Sequence, residues 1–389
     1  MRSVSCVEMH HFISWYVGLC RRTRRRFVRK VGVICAFNPG NTGMFSVDLA
    51  ASQLFDAWNI DYTLINFQKR PWRLPSKYLV CRNIDKLGRF SHLLYWGDFQ
   101  NNPVYGTRDF ASREMKFGNA RTVDMAVSNW ARLHLDLPDL LGKHARVASI
   151  GNCFLGAHEA AAQYALGPSL ARFADTAFRI LPRETYSVNE ITSASSSTSP
   201  PNISTGIDPA FLLEPKEYHD FRDAHYFGYH FARSDVRDIS EGLKAIEART
   251  SLVPLEVSWA VGNRKAKQKN LFYSALATMK KCRFVVTDVY HLAVNTLNHG
   301  TPVVLVSRKS SATKSSVDDQ KKYALAEQLG ARPLHLPLAE DASLASQAGK
   351  IIETYESLMD DQISFREVMG GLRKQKDRFR SSIKEIVEA

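Results

Sequence analysis

The chain has 389 residues, of which 44% are hydrophobic and 23% are charged. This length favours two domains, and the composition excludes collagen-like, coiled-coil and mostly disordered chains. Lys and Arg number 52 against 39 Asp and Glu, so the formal net charge of +13 favours an anionic partner, either nucleic acid, a membrane surface or a phosphorylated substrate. Six scattered cysteines without a CxxC pair indicate a reduced, cytoplasmic protein with no disulfide scaffold and no metal site.

Residues 1–30 are predicted to be a separate amino-terminal arm. Residues 11–20 (HFISWYVGLC) are apolar, but a membrane-spanning helix needs about 20 such residues. Positive charge follows this stretch, whereas a secretory signal carries it in front. The basic run at residues 21–30 (RRTRRRFVRK) indicates a disordered arm or, alternatively, peripheral contact with anionic lipid at the inner face of the membrane. No zinc finger, RNP motif or helix-turn-helix pattern supports nucleic-acid binding, so none is expected.

The next part of the chain alternates strand and helix patterns. Four short apolar runs predict buried strands, at residues 31–37, 62–67, 91–96 and 146–150. A helical pattern follows the first of them, so we expect parallel βαβ units with ligands at the carboxyl ends of the strands. Residues 193–205 (SASSSTSPPNIST) predict a Ser/Pro-rich loop that ends a domain of residues 31–205.

A second α/β pattern predicts a carboxyl-terminal domain over residues 206–361. Its predicted strands are residues 226–231, 253–257, 283–287 and 302–307. Its predicted helices are residues 271–281, 289–298, 323–329 and 342–358. Residues 365–387 also have helical periodicity, within a basic segment of residues 362–389.

Loops at the ends of predicted strands carry the candidate functional residues of the first half. Asn41 and Gly43 lie in the turn after the first strand. Glycines let the backbone approach a ligand and a helix N-terminus favours anions, but a tight turn without a ligand explains the pattern equally well. Asp98 follows the third strand and is a candidate base or a helix cap.

In the second half, a histidine and several cations follow predicted strands. His291 lies at the start of a helix, just after the strand that ends at Thr287, and is a candidate general acid or base. Arg233, Arg308 and Lys314 follow other predicted strands. Cationic side chains suit carboxylate and phosphate oxygens, and solvated basic loops are the alternative interpretation.

Five short motifs carry a family resemblance. In chain order they are Asn41-Thr42-Gly43, Arg183-Glu184 with Ser187, Asp208-Pro209-Ala210, Thr287-Asp288-Val289-Tyr290-His291 and Gly300-Thr301-Pro302-Val303-Val304. Their order and spacing, from about residue 31 to 330, resemble the polysaccharide pyruvyl transferase family. The chain departs from the family pattern at Met44, where the family has Asp, and at Val289 and Tyr290, where it has Arg and Leu.

The resemblance implies an α/β fold of two Rossmann-like domains facing a cleft, similar to GT-B glycosyltransferases. It also implies an enzyme of exopolysaccharide biosynthesis that transfers pyruvate from phosphoenolpyruvate to sugar hydroxyls of a surface polysaccharide or a lipid-linked oligosaccharide precursor. No cofactor is implied beyond this donor. His291 falls on the family's histidine and is expected to perform acid–base catalysis, and Arg233 resembles the family's donor-binding Arg.

Val289 leaves the family's first donor-binding cation unassigned. We expect Arg308 or Lys314 to supply it and Thr287 to help bind the donor; otherwise the chain uses another donor or is inactive. Two alternatives therefore accompany the pyruvyl transferase interpretation. One is a GT-B-like glycosyltransferase with a nucleotide-sugar donor, and the other is a family member that binds glycan without turnover.

Overall fold

The computed structural model describes residues 30–70, 77–215, 221–234, 236–260, 268–308, 317–339, 342–360 and 362–389. The predicted amino-terminal arm, except for Lys30, and the predicted donor-binding Lys314 lie outside these ranges. Within them, every helix is too short or too polar to cross a lipid bilayer.

The amino-terminal lobe is built on a parallel sheet of six strands in the order β3-β2-β1-β4-β5-β6. The strands are β1 (Val31–Cys35), β2 (Tyr62–Asn66), β3 (Tyr78–Val80), β4 (His92–Trp96), β5 (Arg146–Ile150) and β6 (Arg179–Leu181). In β1, all five residues are buried, since helices cover both faces of a parallel sheet. In the register of this sheet, Val33 lies beside Leu64 on one side and Leu94 on the other.

Nine α-helices of the described chain accompany this sheet. They are α1 (Thr42–Ala57), α2 (Ile84–Leu87), α3 (Pro103–Tyr105), α4 (Ala111–Lys116), α5 (Val123–His134), α6 (Leu137–Leu141), α7 (Ala157–Gln163), α8 (Gly167–Thr176) and α9 (Thr185–Ala194). A π-helical turn (Gly106–Phe110) joins α3 to α4. The predicted loop at residues 193–205 starts after Ala194, and its Ile203 bridges Ile180 at the edge of the sheet.

The carboxyl-terminal lobe contains a second parallel sheet, of five strands in the order β11-β10-β9-β7-β8. The strands are β7 (Tyr226–His230), β8 (Val253–Glu256), β9 (Cys282–Thr287), β10 (Val303–Arg308) and β11 (His335–Leu338). The helices that follow them are α10 (Ile239–Thr250), α11 (Gln268–Met279), α12 (Tyr290–Asn298), α13 (Val317–Gln328), α14 (Leu344–Asp360) and α15 (Gln362–Glu388). Two Rossmann-like lobes were predicted, and the two parallel sheets confirm them.

The last helix, α15, contacts both lobes. Lys376 of α15 donates a hydrogen bond from Nζ to Asn298 Oδ1 at 2.8 Å. Burial lowers the pKa of this lysine to about 8. The ring of Phe379 lies against Gly206, close to Leu181 at the end of β6. A side chain at position 206 would collide with this ring. The basic carboxyl-terminal segment therefore packs on both lobes.

A buried carboxyl group in α1 makes stability depend on pH. Asp48 is fully buried and accepts a hydrogen bond from the hydroxyl of Tyr78. Burial raises the pKa of Asp48 from 3.8 to about 6, although Tyr78 and Lys77 oppose the rise. The native state therefore binds a proton more tightly than the unfolded chain, so the free energy of unfolding falls as pH rises from about 4 to 6.

Asp48→Asn is expected to raise the free energy of unfolding by up to about 3 kcal/mol at pH 7 and to add nothing at pH 4. The reason is that Asn keeps a hydrogen-bond acceptor but carries no charge that needs water. Urea unfolding at both pH values measures the effect. Asp56→Asn, at an exposed position of the same helix, is the matched control. Equal pH profiles for the two variants would contradict the assignment.

Candidate active site

The site lies where the strand order reverses in both sheets. In the amino-terminal lobe the order reverses between β1 and β4, and in the carboxyl-terminal lobe between β7 and β9. Ligands of open α/β sheets bind outside the carboxyl ends of strands at such points. The loops that follow these four strands meet across a cavity of about 450 Å³. Both lobes therefore contribute to one candidate active site.

The glycine-rich turn after β1 joins the lobes instead of holding an anion at the N-terminus of α1. Asn41 Oδ1 accepts hydrogen bonds from the backbone N–H groups of Gly43 and Met44, at 2.9 and 3.2 Å. Thr42 exchanges hydrogen bonds with the backbone of Ala260 in the other lobe. The first amides of α1 thus have partners within the protein, and Asn41 also lines the cavity.

Gly43 allows His291 to approach the turn. A Cβ atom at position 43 would lie 2.6 Å from both Cβ and Nδ1 of His291, closer than real Cβ atoms come to other atoms. Any side chain at Gly43 would therefore displace the imidazole or push the lobes apart. The close approach of His291 therefore explains why position 43 is a glycine.

His291, in the first turn of α12, lines the cavity. Its side chain is 13% exposed, and its Nε2 lies 3.5 Å from Oδ2 of the fully buried Asp208. This distance is too long for a strong hydrogen bond but close enough for an ion pair when the imidazole is protonated. Asp208 precedes a 3₁₀ turn (Pro209–Leu212) whose Pro209 lies against Gly97 and Gly151 of the amino-terminal lobe. His291 and Asp208 therefore form a histidine–carboxylate pair between the lobes.

Asp208 keeps its negative charge beside this histidine. Burial alone raises the pKa of its carboxyl group, but His291, Arg183 and the backbone N–H of Ala210 lower that pKa to about 2. The N–H of Ala210 donates to Oδ1 at 2.9 Å, and Nη1 of Arg183 lies 3.1 Å from Oδ2. Asp208 is consequently ionised at neutral pH and can balance the charge of an imidazolium.

Arg183 connects three groups at the centre of the interface between the lobes. Its side chain is 1% exposed, and its Nε lies 3.3 Å from Oε2 of Glu184. The guanidinium group also lies 4.5 Å from the centre of the Tyr290 ring, a cation–π contact with the other lobe. Arg183 thus holds Asp208 and Tyr290, the two neighbours of His291, in place.

Asp288 fixes the loop that carries Arg233. The carboxylate of Asp288 is buried and accepts hydrogen bonds from the backbone N–H groups of Ala232 and Arg233, at 2.8 and 2.7 Å, and from that of Ser234. The side chain of Arg233 lines the cavity and is exposed. The Asp288 carboxylate therefore fixes the backbone from which the Arg233 side chain reaches the cavity.

Further cations surround the same cavity. They are Arg108 and Arg113 from the amino-terminal lobe and Lys321 and Lys322 from α13. The ammonium group of Lys321 lies 5.6 Å from the centre of the Tyr290 ring. Together with Arg233, these side chains outnumber the carboxylates that line the cavity, Asp98, Asp109 and Asp288, so the lining favours an anionic ligand.

Asp98 lies on the floor of the cavity, after β4. It adopts a left-handed backbone conformation with a φ of +62°, which is rare outside glycine and frequent at functional sites. Burial raises the pKa of its carboxyl group, and the nearby charges of His291 and Arg183 partly offset the rise. A cavity-lining carboxyl group whose pKa is raised is a stronger base than an exposed one, which suits proton transfer.

The structure brings four of the predicted site residues together and separates two others. His291, Arg233, Asn41 and Asp98 line one cavity. Thr287 is buried, and its hydroxyl donates to the backbone oxygen of His230 and accepts from the N–H of Val289. Arg308 lines a second cavity, beside α9, because β10 lies one strand further from the reversal point. Neither position supports the predicted donor contact.

Sequence reasoning did not select the partners of the histidine. Asp208 and Arg183 were visible in the motifs, but no local pattern links them to His291. Lys321, Arg108 and Arg113 lie in no motif, and only the folded chain brings them to the cavity. The described residues contain no cluster of three or more His, Cys, Asp or Glu side chains that could hold a metal ion.

The polysaccharide pyruvyl transferase family model matches residues 140–310, which confirms the predicted resemblance over that segment, and this is a transferase family. No curated protein matches the chain. A putative UDP-N-acetylglucosamine 2-epimerase from Listeria monocytogenes superimposes with a TM-score of 0.50 at 10% identity, covering 92% of this chain and 96% of that chain. This likeness confirms the predicted GT-B-like fold.

Two other solved structures cover similar shares at lower TM-scores. The pneumococcal O-GlcNAc transferase GtfA, solved with UDP and GlcNAc, is 8% identical, with a TM-score of 0.49, and covers 94% of this chain and 100% of that chain. A functionally uncharacterized protein from Klebsiella pneumoniae is 13% identical, with a TM-score of 0.43, and covers 84% and 98% of the two chains.

Proposed function

We propose that the protein transfers pyruvate from phosphoenolpyruvate to sugar hydroxyls of a surface polysaccharide or its precursor. The observation that carries the proposal is the pair of His291 and Asp208, which opens into a cavity surrounded by cations from both lobes. A histidine supplies a proton, and the cations suit a donor that has both a phosphate and a carboxylate group.

The donor is held by cations other than the one that the family pattern would place at Val289. Lys321 lies beside the ring of Tyr290, the residue that precedes His291, and lines the same cavity as Arg233. We assign the phosphate and carboxylate groups of phosphoenolpyruvate to Lys321, Arg233 and the arginines of the amino-terminal lobe. Binding by several cations compensates for the missing family Arg.

Proton transfer from His291 starts the reaction. The methylene carbon of phosphoenolpyruvate takes this proton, which leaves a cationic centre on the neighbouring carbon. A sugar hydroxyl attacks that carbon and loses its proton, and the bond to the phosphate oxygen then breaks. A second hydroxyl of the same sugar attacks in turn, so the products are a cyclic pyruvyl ketal and inorganic phosphate. The proton of the second hydroxyl passes to the leaving phosphate, and the proton of the first finally returns to His291, so the acid is restored.

The buried Asp208 and the partly buried Asp98 have the remaining roles. Asp208 stays ionised and stabilises the protonated His291 before transfer. Asp98, whose pKa is raised, accepts the proton of the attacking hydroxyl. Cations around the cavity stabilise the negative charge that builds up on the leaving phosphate.

Incubation of the protein with phosphoenolpyruvate and candidate glycans tests the proposal. The expected product, seen by mass spectrometry, is a glycan that has gained one pyruvate and lost one water, together with free phosphate. Phosphoenolpyruvate is also expected to raise the melting temperature. Stabilisation by UDP or a UDP-sugar alone would instead favour a nucleotide-sugar glycosyltransferase. If neither phosphoenolpyruvate nor a UDP compound stabilises the protein, the remaining interpretation is a protein that binds glycan without turnover.

A further inference from the structure

A second cavity lies beside the candidate active site. Its volume is about 930 Å³, roughly twice that of the first, and its lining comes from α9 of one lobe and from β10, α13 and β11 of the other. Lys322 lines the first cavity and Asp319 the second, and their side chains form an ion pair of 2.9 Å. This ion pair separates the two cavities, so a ligand in the second cavity lies close to the first cavity.

Two exposed tyrosine rings face each other in this cavity, one from each lobe. Tyr186 of α9 is 40% exposed and Tyr323 of α13 is 39% exposed. Their ring centres are 6.4 Å apart, with the planes inclined by 51°. Two exposed rings that lie together in a cavity offer an apolar surface, and a ligand that covers it gains the free energy of burial.

The surrounding contacts hold both rings in fixed orientations. Hydrogen bonding to Glu327 raises the pKa of the Tyr186 hydroxyl to about 12, and Glu327 also pairs with Arg332 at 3.0 Å. The ring of Tyr323 lies edge-on to His335, whose Nε2 is 2.7 Å from the Ser307 hydroxyl. Rings held in place before binding lose little conformational entropy when a ligand stacks on them.

We propose that this cavity binds sugar rings of the acceptor glycan, with Tyr186 and Tyr323 as the stacking surfaces. A pyranose presents an apolar face of C–H groups, which suits an aromatic ring, and a rim of hydroxyls, which suits amide side chains. Asn189 and Gln320 supply such amides at exposed positions of the lining. The assignment of the bound glycan as the acceptor rests on the proposed function, but the test of glycan binding does not.

The different linings of the two cavities favour this division of ligands. The first cavity is small, and its five cations outnumber its three carboxylates, as a small anionic donor requires. The second carries two, Arg308 and Arg332, together with the carboxylates Glu190 and Asp319, so its charges balance. A larger and more neutral cavity suits an uncharged oligosaccharide better than a phosphorylated donor.

A printed glycan array, probed with the intact protein, tests the inference without requiring turnover. Wild-type protein is expected to bind at least one oligosaccharide on the array. Tyr323→Ala and Tyr186→Ala are each expected to weaken that binding roughly tenfold or more, because an aromatic stacking contact and its buried area are lost. Tyr273→Ala removes an equally exposed tyrosine of α11 outside both cavities and is the matched control.

Asn189→Trp separates loss of binding from loss of folding. Asn189 is exposed on α9, so a Trp there fills the cavity without removing any packed side chain. It is expected to abolish glycan binding while the melting temperature and phosphoenolpyruvate stabilisation stay at wild-type values.

Three results would overturn the assignment: no array binding by the wild type, unchanged glycan binding in the tyrosine variants, or unchanged glycan binding in Asn189→Trp. If glycan binding follows the prediction while phosphoenolpyruvate neither binds nor reacts, the proposed function fails and the glycan site stands.

Discussion

His291→Gln is expected to lower the turnover of pyruvyl transfer by about 10²–10⁴-fold, the usual contribution of a general acid. Gln fills much of the volume of the imidazole and can hydrogen-bond to Asp208, but it cannot donate a proton to the methylene carbon of the donor. The measurement is the rate of phosphate release with phosphoenolpyruvate and an acceptor glycan. The melting temperature is expected to change little, because His291 is not part of the apolar core.

His144→Gln is the matched control, since His144 is exposed in a short 3₁₀ turn of the amino-terminal lobe, away from the cavity lining. Its turnover is expected to equal that of the wild type. Equal turnover in the His291 and His144 variants would remove His291 from the mechanism. Phosphoenolpyruvate should still stabilise His291→Gln, because the cations that bind the donor remain.

Arg183→Ala is expected to lower the free energy of unfolding by about 3–5 kcal/mol, as observed when one partner of a buried ion pair is removed. Asp208 and Glu184 would both lose their buried counter-charge, and Tyr290 would lose its cation–π partner. Urea unfolding at neutral pH measures the loss. Because Arg183 links the lobes through Tyr290, the variant is also expected to expose the interface to proteases.

Arg172→Ala is the control for the removal of an ion-paired Arg. Its guanidinium group lies 3.2 Å from Asp136 but is half exposed, so the expected loss is at most about 1 kcal/mol. Arg183→Lys keeps the charge but cannot reach two carboxylates and stack on a ring at once, so an intermediate loss is expected. Similar stabilities for Arg183→Ala and Arg172→Ala would contradict the role assigned to Arg183.

Most of the fold could be predicted from local sequence patterns. Eight strands of the described chain were predicted within about two residues, because each is a compact apolar run bounded by turn residues. Strands β3, β6 and β11 were not predicted, because three or four residues are too few to show a period. The alternation of strands and helices was sufficient to predict parallel sheets and a site at their carboxyl ends.

The candidate site could be predicted only in part. Asn41 and Asp98 follow strands of one predicted half, and Arg233 and His291 follow strands of the other. Parallel strands bring their carboxyl ends to one edge of a sheet, so each pair was predictable, whereas the packing of the lobes brings the two pairs to one cavity. Arg308 also follows a strand, yet it lies in the second cavity. Strand order decides how far Arg308 lies from the reversal point, and the local patterns of a single sequence do not reveal strand order.

The amino-acid sequence alone was sufficient to predict the strand ends, the place of His291 after a strand and the excess of positive charge. Each of these depends on neighbouring residues or on composition. The fold decided which groups lie together: Asp208 with His291, Arg183 with Tyr290, and Lys321 with Arg108 around one cavity. These pairs join segments far apart in the chain and lie on different lobes. Their distances depend on how the lobes pack, which no local spacing encodes.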